Sequence, residues 1–174
     1  VYWRGWVGML GIVMGLHFGL FDLLSCAWRS QGVTAGRLME CPVVSTSVSE
    51  FWGRRWNVAF RDLTHRFLFR PWTARFGPRS AMGVGFVFSG LVHDVVISVP
   101  AGGGYGRPTL FFLLQGVAMF FERSRVGRSL GLGRGWCGWL FTLVVLLGPV
   151  GLLFHRPFVV EVVVPFLEAM GAVS

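Results

Sequence analysis

The chain has 174 residues, 53% of them hydrophobic, and a net charge of +8 in which every one of the 16 basic residues is arginine. So apolar a composition excludes an ordinary soluble domain with a wetted surface, and the lack of lysine excludes Schiff-base or lysine-nucleophile chemistry within the chain. The basic balance favours anionic lipid head groups or an anionic co-substrate over nucleic acid as partners.

The apolar runs are continuous rather than alternating, so their backbone polar groups are satisfied in lipid by helices. An all-α integral membrane fold follows, with about four transmembrane helices and a cytoplasmic amphipathic helix in a single membrane domain, residues 1–174. The first span covers 5–24 and is interrupted by His17 and Asp22. These two do not share a helical face well and are expected to be structural. The chain begins at Val1 and enters this span almost at once, so a piece of a longer multi-span bundle is expected.

A long polar loop follows. Within it Ser47-Val-Ser-Glu50 has the spacing of a capping box, and the segment 48–70 is expected to run as one helix until Pro71 stops it. Trp52, Trp56, Ala59, Phe60, Leu63 and Phe67 fall on one stripe, with Arg54, Arg61 and His65 roughly opposite, the pattern of a helix lying in the membrane interface. The second span is expected at 81–99. The run Ala101-Gly-Gly-Gly-Tyr-Gly106 lacks the lysine and hydroxyl residue of a phosphate loop and reads as a flexible connector. The third span, 108–121, is short for a crossing, and the fourth, 136–154, is loosened by Gly148-Pro149. The tail VVEVVVPFLEAM reads as an interfacial piece or part of a further span. With four crossings, 13 arginines fall on one side and 3 on the other, which makes the richer side cytoplasmic. A multi-pass protein is expected, in the plasma membrane if the source is bacterial.

Polar residues inside the spans carry the functional reading. His93 lies 12 residues beyond Ala81, about 18 Å along a helix and so near mid-membrane. A neutral imidazole is the cheapest ionisable group to bury there and suits a general base; the alternative is an interhelical polar contact. Asp94 is turned about 100° away and bonds another helix or lines the same cavity, while Ser89 and Gly90 allow close approach of a helix or substrate. Asn57, at the edge of the aromatic face, can donate and accept hydrogen bonds at once and so orient a carbonyl; the alternative is an ordinary boundary residue. His65 and His155 are expected to be solvated and interfacial respectively. The four histidines and three cysteines (Cys26, Cys41, Cys137) match no metal or redox spacing, and the cysteines read as small packing residues.

Two stretches, SVSEFWGRRWNVAFRDLTHRFLFRP and FVFSGLVHD with the following TLFFLLQGVAMFFE, together resemble the wax synthase-like branch of the membrane-bound O-acyltransferase family. The resemblance implies transfer of a fatty acyl group from acyl-CoA to a hydroxyl acceptor such as a long-chain alcohol, with His93 and Asn57 as the catalytic pair. Acyl-CoA enters as a co-substrate, and no other cofactor or metal is implied. The aspartate that often precedes Trp-Trp-Asn in the sterol and diacylglycerol enzymes is absent; Gly53-Arg54-Arg55 stands there. Arg54, Arg55, Trp56 and Arg61 are the candidates for substrate binding, the guanidinium groups for CoA phosphates, although lipid phosphate suits them equally. Membrane lipid, acyl-CoA and a hydrophobic alcohol are the expected partners. The alternatives are an enzyme of the same family acting on a glycan or polymer, and a non-enzymatic membrane module in which His93 is a structural contact.

Overall fold

A computed structural model describes residues 2–32 and 38–172. Arg37, one of the arginines expected on the cytoplasmic side, lies outside the described residues. Among the described residues the architecture is helical throughout, with no strand. Three helical stretches are long and apolar enough to cross a membrane: Tyr2–Ser30, Val58–Ser98 and Gly135–Leu153.

Helix α1, Tyr2–Ser30, is α-helical except for a π-type turn at Gly15–Leu20 that swells it around His17. A short helix α2 follows the buried Ser45. It begins at Val48–Glu50 and ends in a second π-type turn, Phe51–Arg55. Its start is half of the expected capping box. The Ser47 hydroxyl accepts from the Glu50 N–H at 2.9 Å, whereas the Glu50 carboxylate accepts from the Thr46 N–H at 2.9 Å. The Val48 and Ser49 N–H groups donate instead to the buried carboxylate of Glu122, 2.8 and 2.9 Å away and more than 70 residues on.

The single amphipathic helix expected over 48–70 is not formed. Trp56 is extended and Asn57 is left-handed, φ 44° and ψ 62°, so the helix stops and restarts. Segment 38–40 satisfies the backbone groups this frees. The Glu40 N–H donates to the Arg55 carbonyl at 2.9 Å, and the Val58 N–H donates to the Leu38 carbonyl at 3.0 Å. The break also splits the aromatic stripe. Trp52, Trp56 and Phe60 line a cavity, while Leu63 and Phe67 stay 56% and 69% exposed.

The new helix, α3 (58–76), runs through Pro71 rather than stopping there, because a π-type turn at His65–Phe69 precedes that residue and the missing proline N–H falls in the transition. The true break is six residues later. Gly77 has φ 81° and ψ 164°, a conformation open to glycine, and Pro78 starts helix α4 (78–98), where its missing N–H costs nothing. Helix α4 ends in a π-type turn at Asp94–Ser98.

Helix α5, Arg107–Glu122, coincides with the third expected span. Its 16 residues reach about 24 Å, less than the hydrocarbon thickness. It is nonetheless the centre of the molecule, with Phe111, Phe112, Gln115, Ala118, Met119 and Glu122 buried. Helices α4 and α5 meet where Gly90 lies on Thr109: a β-carbon on Gly90 would stand 2.7 Å from the Thr109 Cα. The close approach expected of Gly90 is therefore to a helix, and in lipid such backbone proximity supplies the packing energy that water cannot.

A short helix α6, Arg125–Ser129, leads to α7, Gly135–Leu153, which turns irregular at Gly148-Pro149 as expected. The tail forms helix α8 (156–169), laid against α1 so closely that β-carbons on Gly5 and Gly8 would stand 2.6 Å from Val159 and 2.2 Å from Leu167. The cysteines are exposed and form no disulfide, rather than filling small packing sites.

Candidate functional site

A cavity of about 1020 Å³ opens between α1, the α2–α3 break, α4, α5 and α7. Its wall is mainly apolar, and both His93 and Asn57 line it. Each is held by a local bond that leaves one polar atom available.

His93 is the last α-helical residue before the π-type turn of α4. Its Nδ1 lies 2.7 Å from the Ser89 carbonyl, one turn back. A carbonyl only accepts, so Nδ1 carries the proton and Nε2 of the neutral ring keeps its lone pair. The imidazole also rests on Phe112 at a centroid distance of 4.4 Å, which fixes its plane.

Asn57 follows the same logic. Its Oδ1 accepts from the Phe60 N–H at 3.1 Å and caps α3, leaving the Nδ2 amide as donor. Asparagine is among the few residues that tolerate the left-handed backbone this position requires. Trp56 stacks on both Phe51, at 5.4 Å, and His17, at 5.0 Å.

The predicted basic residues divide. Arg61 lines the cavity and donates to the Gly53 carbonyl at 2.6 Å while paired with Asp62. Arg55 does not line it. Its guanidinium ties Glu50, 2.7 Å away, and the Glu40 carbonyl, 2.9 Å away, into the scaffold beneath the break. Arg54 is exposed and also outside the lining. Arg123, which sequence reasoning passed over, lines the cavity and donates to the Ser49 hydroxyl at 2.9 Å.

Residues 36–114 match the model of the membrane bound O-acyl transferase family. Over 93 residues the chain is 34% identical to a long-chain-alcohol O-fatty-acyltransferase of Simmondsia chinensis, covering 47% of this chain and 26% of that one. Over 131 residues it is 31% identical to probable long-chain-alcohol O-fatty-acyltransferase 7 of Arabidopsis thaliana, covering 65% of this chain and 37% of that one. The chain is related to the wax synthase-like branch of this family. It spans between about a quarter and two fifths of the length of these relatives. No solved structure matches it.

The matched region of this O-acyltransferase relative contains Asn57, His93 and the start of α5, but neither His17 nor His155. Asp94, beside His93, serves a different purpose. Its carboxylate accepts from the Gly106 and Thr109 N–H groups at 2.8 and 3.1 Å, from the Thr109 hydroxyl and from the Ser98 hydroxyl at 2.9 Å. It therefore caps α5, bonding another helix rather than joining the cavity that holds His93. Ser98 in turn lies 3.1 Å from Nε2 of His155, which is fully buried in the protein. The glycine run closes over this histidine and is ordered by it: Gly104, at φ 79°, lies so flat on the imidazole that a β-carbon would stand 2.4 Å from the ring. The connector thus covers a buried side chain.

Proposed function

We propose that the protein is a membrane-embedded O-acyltransferase that moves a fatty acyl group from acyl-CoA to a long-chain alcohol, with His93 as general base. The observation that carries this reading is the pairing of an unengaged imidazole nitrogen and an unengaged amide in one large apolar cavity, in a chain related to long-chain-alcohol acyltransferases.

In this mechanism Nε2 of His93 takes the hydroxyl proton as the alcohol oxygen attacks the thioester carbonyl carbon. The Nδ2 amide of Asn57 donates to the carbonyl oxygen as charge grows on it. The carbon–sulfur bond then breaks, and the His93 imidazolium returns the proton to the leaving thiolate. The fatty chains occupy the apolar wall. Arg61 and Arg123 at the cavity margin favour the phosphates of the donor, since guanidinium groups pair with phosphate bidentately. Arg54 and Arg55, outside the lining, are better suited to the scaffold and to lipid phosphate.

The test is acyl transfer in membranes containing the protein, with radiolabelled acyl-CoA and a panel of long-chain alcohols, sterols and diacylglycerol. Ester is expected with the alcohols and is expected to vanish with His93→Ala. Absence of ester with every acceptor, or full transfer by a folded His93→Ala protein, would overturn the reading.

A further inference from the structure

His17 shares the cavity with His93 and Asn57 although 76 residues separate it from His93 and it lies outside the matched family region. Three features set it apart from a packing residue. It sits in the π-type turn Gly15–Leu20, a local widening of the kind frequent at functional sites. Its Nδ1 lies 2.9 Å from the Val13 carbonyl, so Nδ1 carries the proton of the neutral ring and Nε2 keeps a free lone pair. Its ring plane is fixed by the stack on Trp56 and by an edge contact with Phe21 at 5.5 Å.

We infer that Nε2 of His17 is a second hydrogen-bond acceptor of the cavity and orients the hydroxyl group of a long-chain alcohol beside Asn57. The inference deepens the acyltransferase reading and rests on it for the identity of the alcohol. An alcohol hydroxyl has one proton to donate and two lone pairs. On a mainly apolar wall this acceptor nitrogen holds that proton in the bound alcohol, and the hydroxyl turns it to His93 for the chemical step. The thioester group of the donor has no such proton, so His17 discriminates between the two reacting groups. It acts on the binding of the acceptor and leaves the chemical step to His93.

Two substitutions separate this role from packing. His17→Phe keeps the stack on Trp56 and removes the acceptor. His17→Gln restores an acceptor near the position of Nε2. With His17→Phe the KM for the alcohol is expected to rise about three- to tenfold, the size of one neutral hydrogen bond, with kcat not lowered and the KM for acyl-CoA unchanged. His17→Gln is expected to recover most of that loss. Photolabelling with a long-chain alcohol bearing a diazirine beside its hydroxyl reads binding without turnover. The label is expected on α1 or Trp56 in the unsubstituted protein and in His17→Gln, and to fall several-fold in His17→Phe at alcohol concentrations below KM. Labelling without ester formation would sink the acyltransferase reading and leave His17 as an alcohol site. An unchanged alcohol KM in an active His17→Phe protein, or labelling that never falls on α1 or Trp56, would overturn the inference.

Discussion

Two polar regions on either side of helix α4 use the same residue types in opposite ways. On the cavity side, His93 and His17 each give Nδ1–H to a carbonyl and keep Nε2 free. On the far side, Nδ1 of His155 accepts from the Phe158 N–H at 3.3 Å, so its Nε2 holds the proton and donates to Ser98, which donates to Asp94. That chain ends on the N-terminus of α5 with its donors and acceptors matched along the way. Burial does not separate the two regions by function, since His155 is the more buried histidine. What separates them is whether a lone pair is left over. A histidine with both nitrogens engaged is a strut, and one with a free nitrogen facing a cavity is available for chemistry.

The sharpest break of this comparison is His93→Ala. Acyl transfer is expected to fall about 10²–10⁴-fold, the contribution of a general base, while the unfolding temperature in detergent stays near that of the parent. Gly104→Ala addresses the strut. A β-carbon at φ 79° against the His155 ring is expected to cost about 2–3 kcal/mol, read as a lower unfolding temperature, with transfer per folded molecule retained. Full loss of transfer in a folded Gly104→Ala protein would mean that the closed network is part of the catalytic apparatus. Asp94→Ala removes the cap on α5 and is expected to cost about 1–2 kcal/mol by the same measurement.

The smallest effect concerns pH. Burial raises the Glu50 carboxyl, but the Thr46 N–H and the Arg55 guanidinium outweigh it and hold the group below its usual value of 4.5. A depressed carboxylate stabilises the fold above its unfolded value and loses that contribution as pH falls through its folded value. Stability in detergent is therefore expected to decline below about pH 4.5, and Glu50→Gln is expected to flatten that decline.

The candidate pair was legible because it rests on short-range signals. A histidine in an apolar run and a Trp-Asn pair upstream are visible without coordinates. The helical class and three of the four expected spans follow from hydropathy alone, while the remaining one, at 108–121, forms a helix shorter than a crossing. What could not be read depends on contacts far apart in the chain. Nothing local announces that Glu122 caps α2, that Asp94 caps α5, or that His155 is buried under a glycine loop. The Asn57 break was hidden by a helical stripe that continues across it, because the left-handed residue interrupts the backbone and leaves the periodicity of the sequence intact. His17 had no spacing relation to either motif. Its membership of the cavity is a product of tertiary packing, and only its position in an otherwise apolar span marked it. The Gly77-Pro78 pair, by contrast, is a readable stop signal, whereas Pro71 lies inside α3.

That glycine also sets a length. Asn57 and His93 are 36 positions apart, and an unbroken helix between them would hold the two residues about 54 Å from each other, further than a bilayer is thick. They line one cavity because the chain turns a corner at Gly77, so that α3 and α4 become two walls rather than one rod. The reach between amide and imidazole is therefore governed by the backbone angle of a residue that touches neither. A side chain there would swing one wall relative to the other, and the site would be lost by misalignment with every one of its own residues still in place.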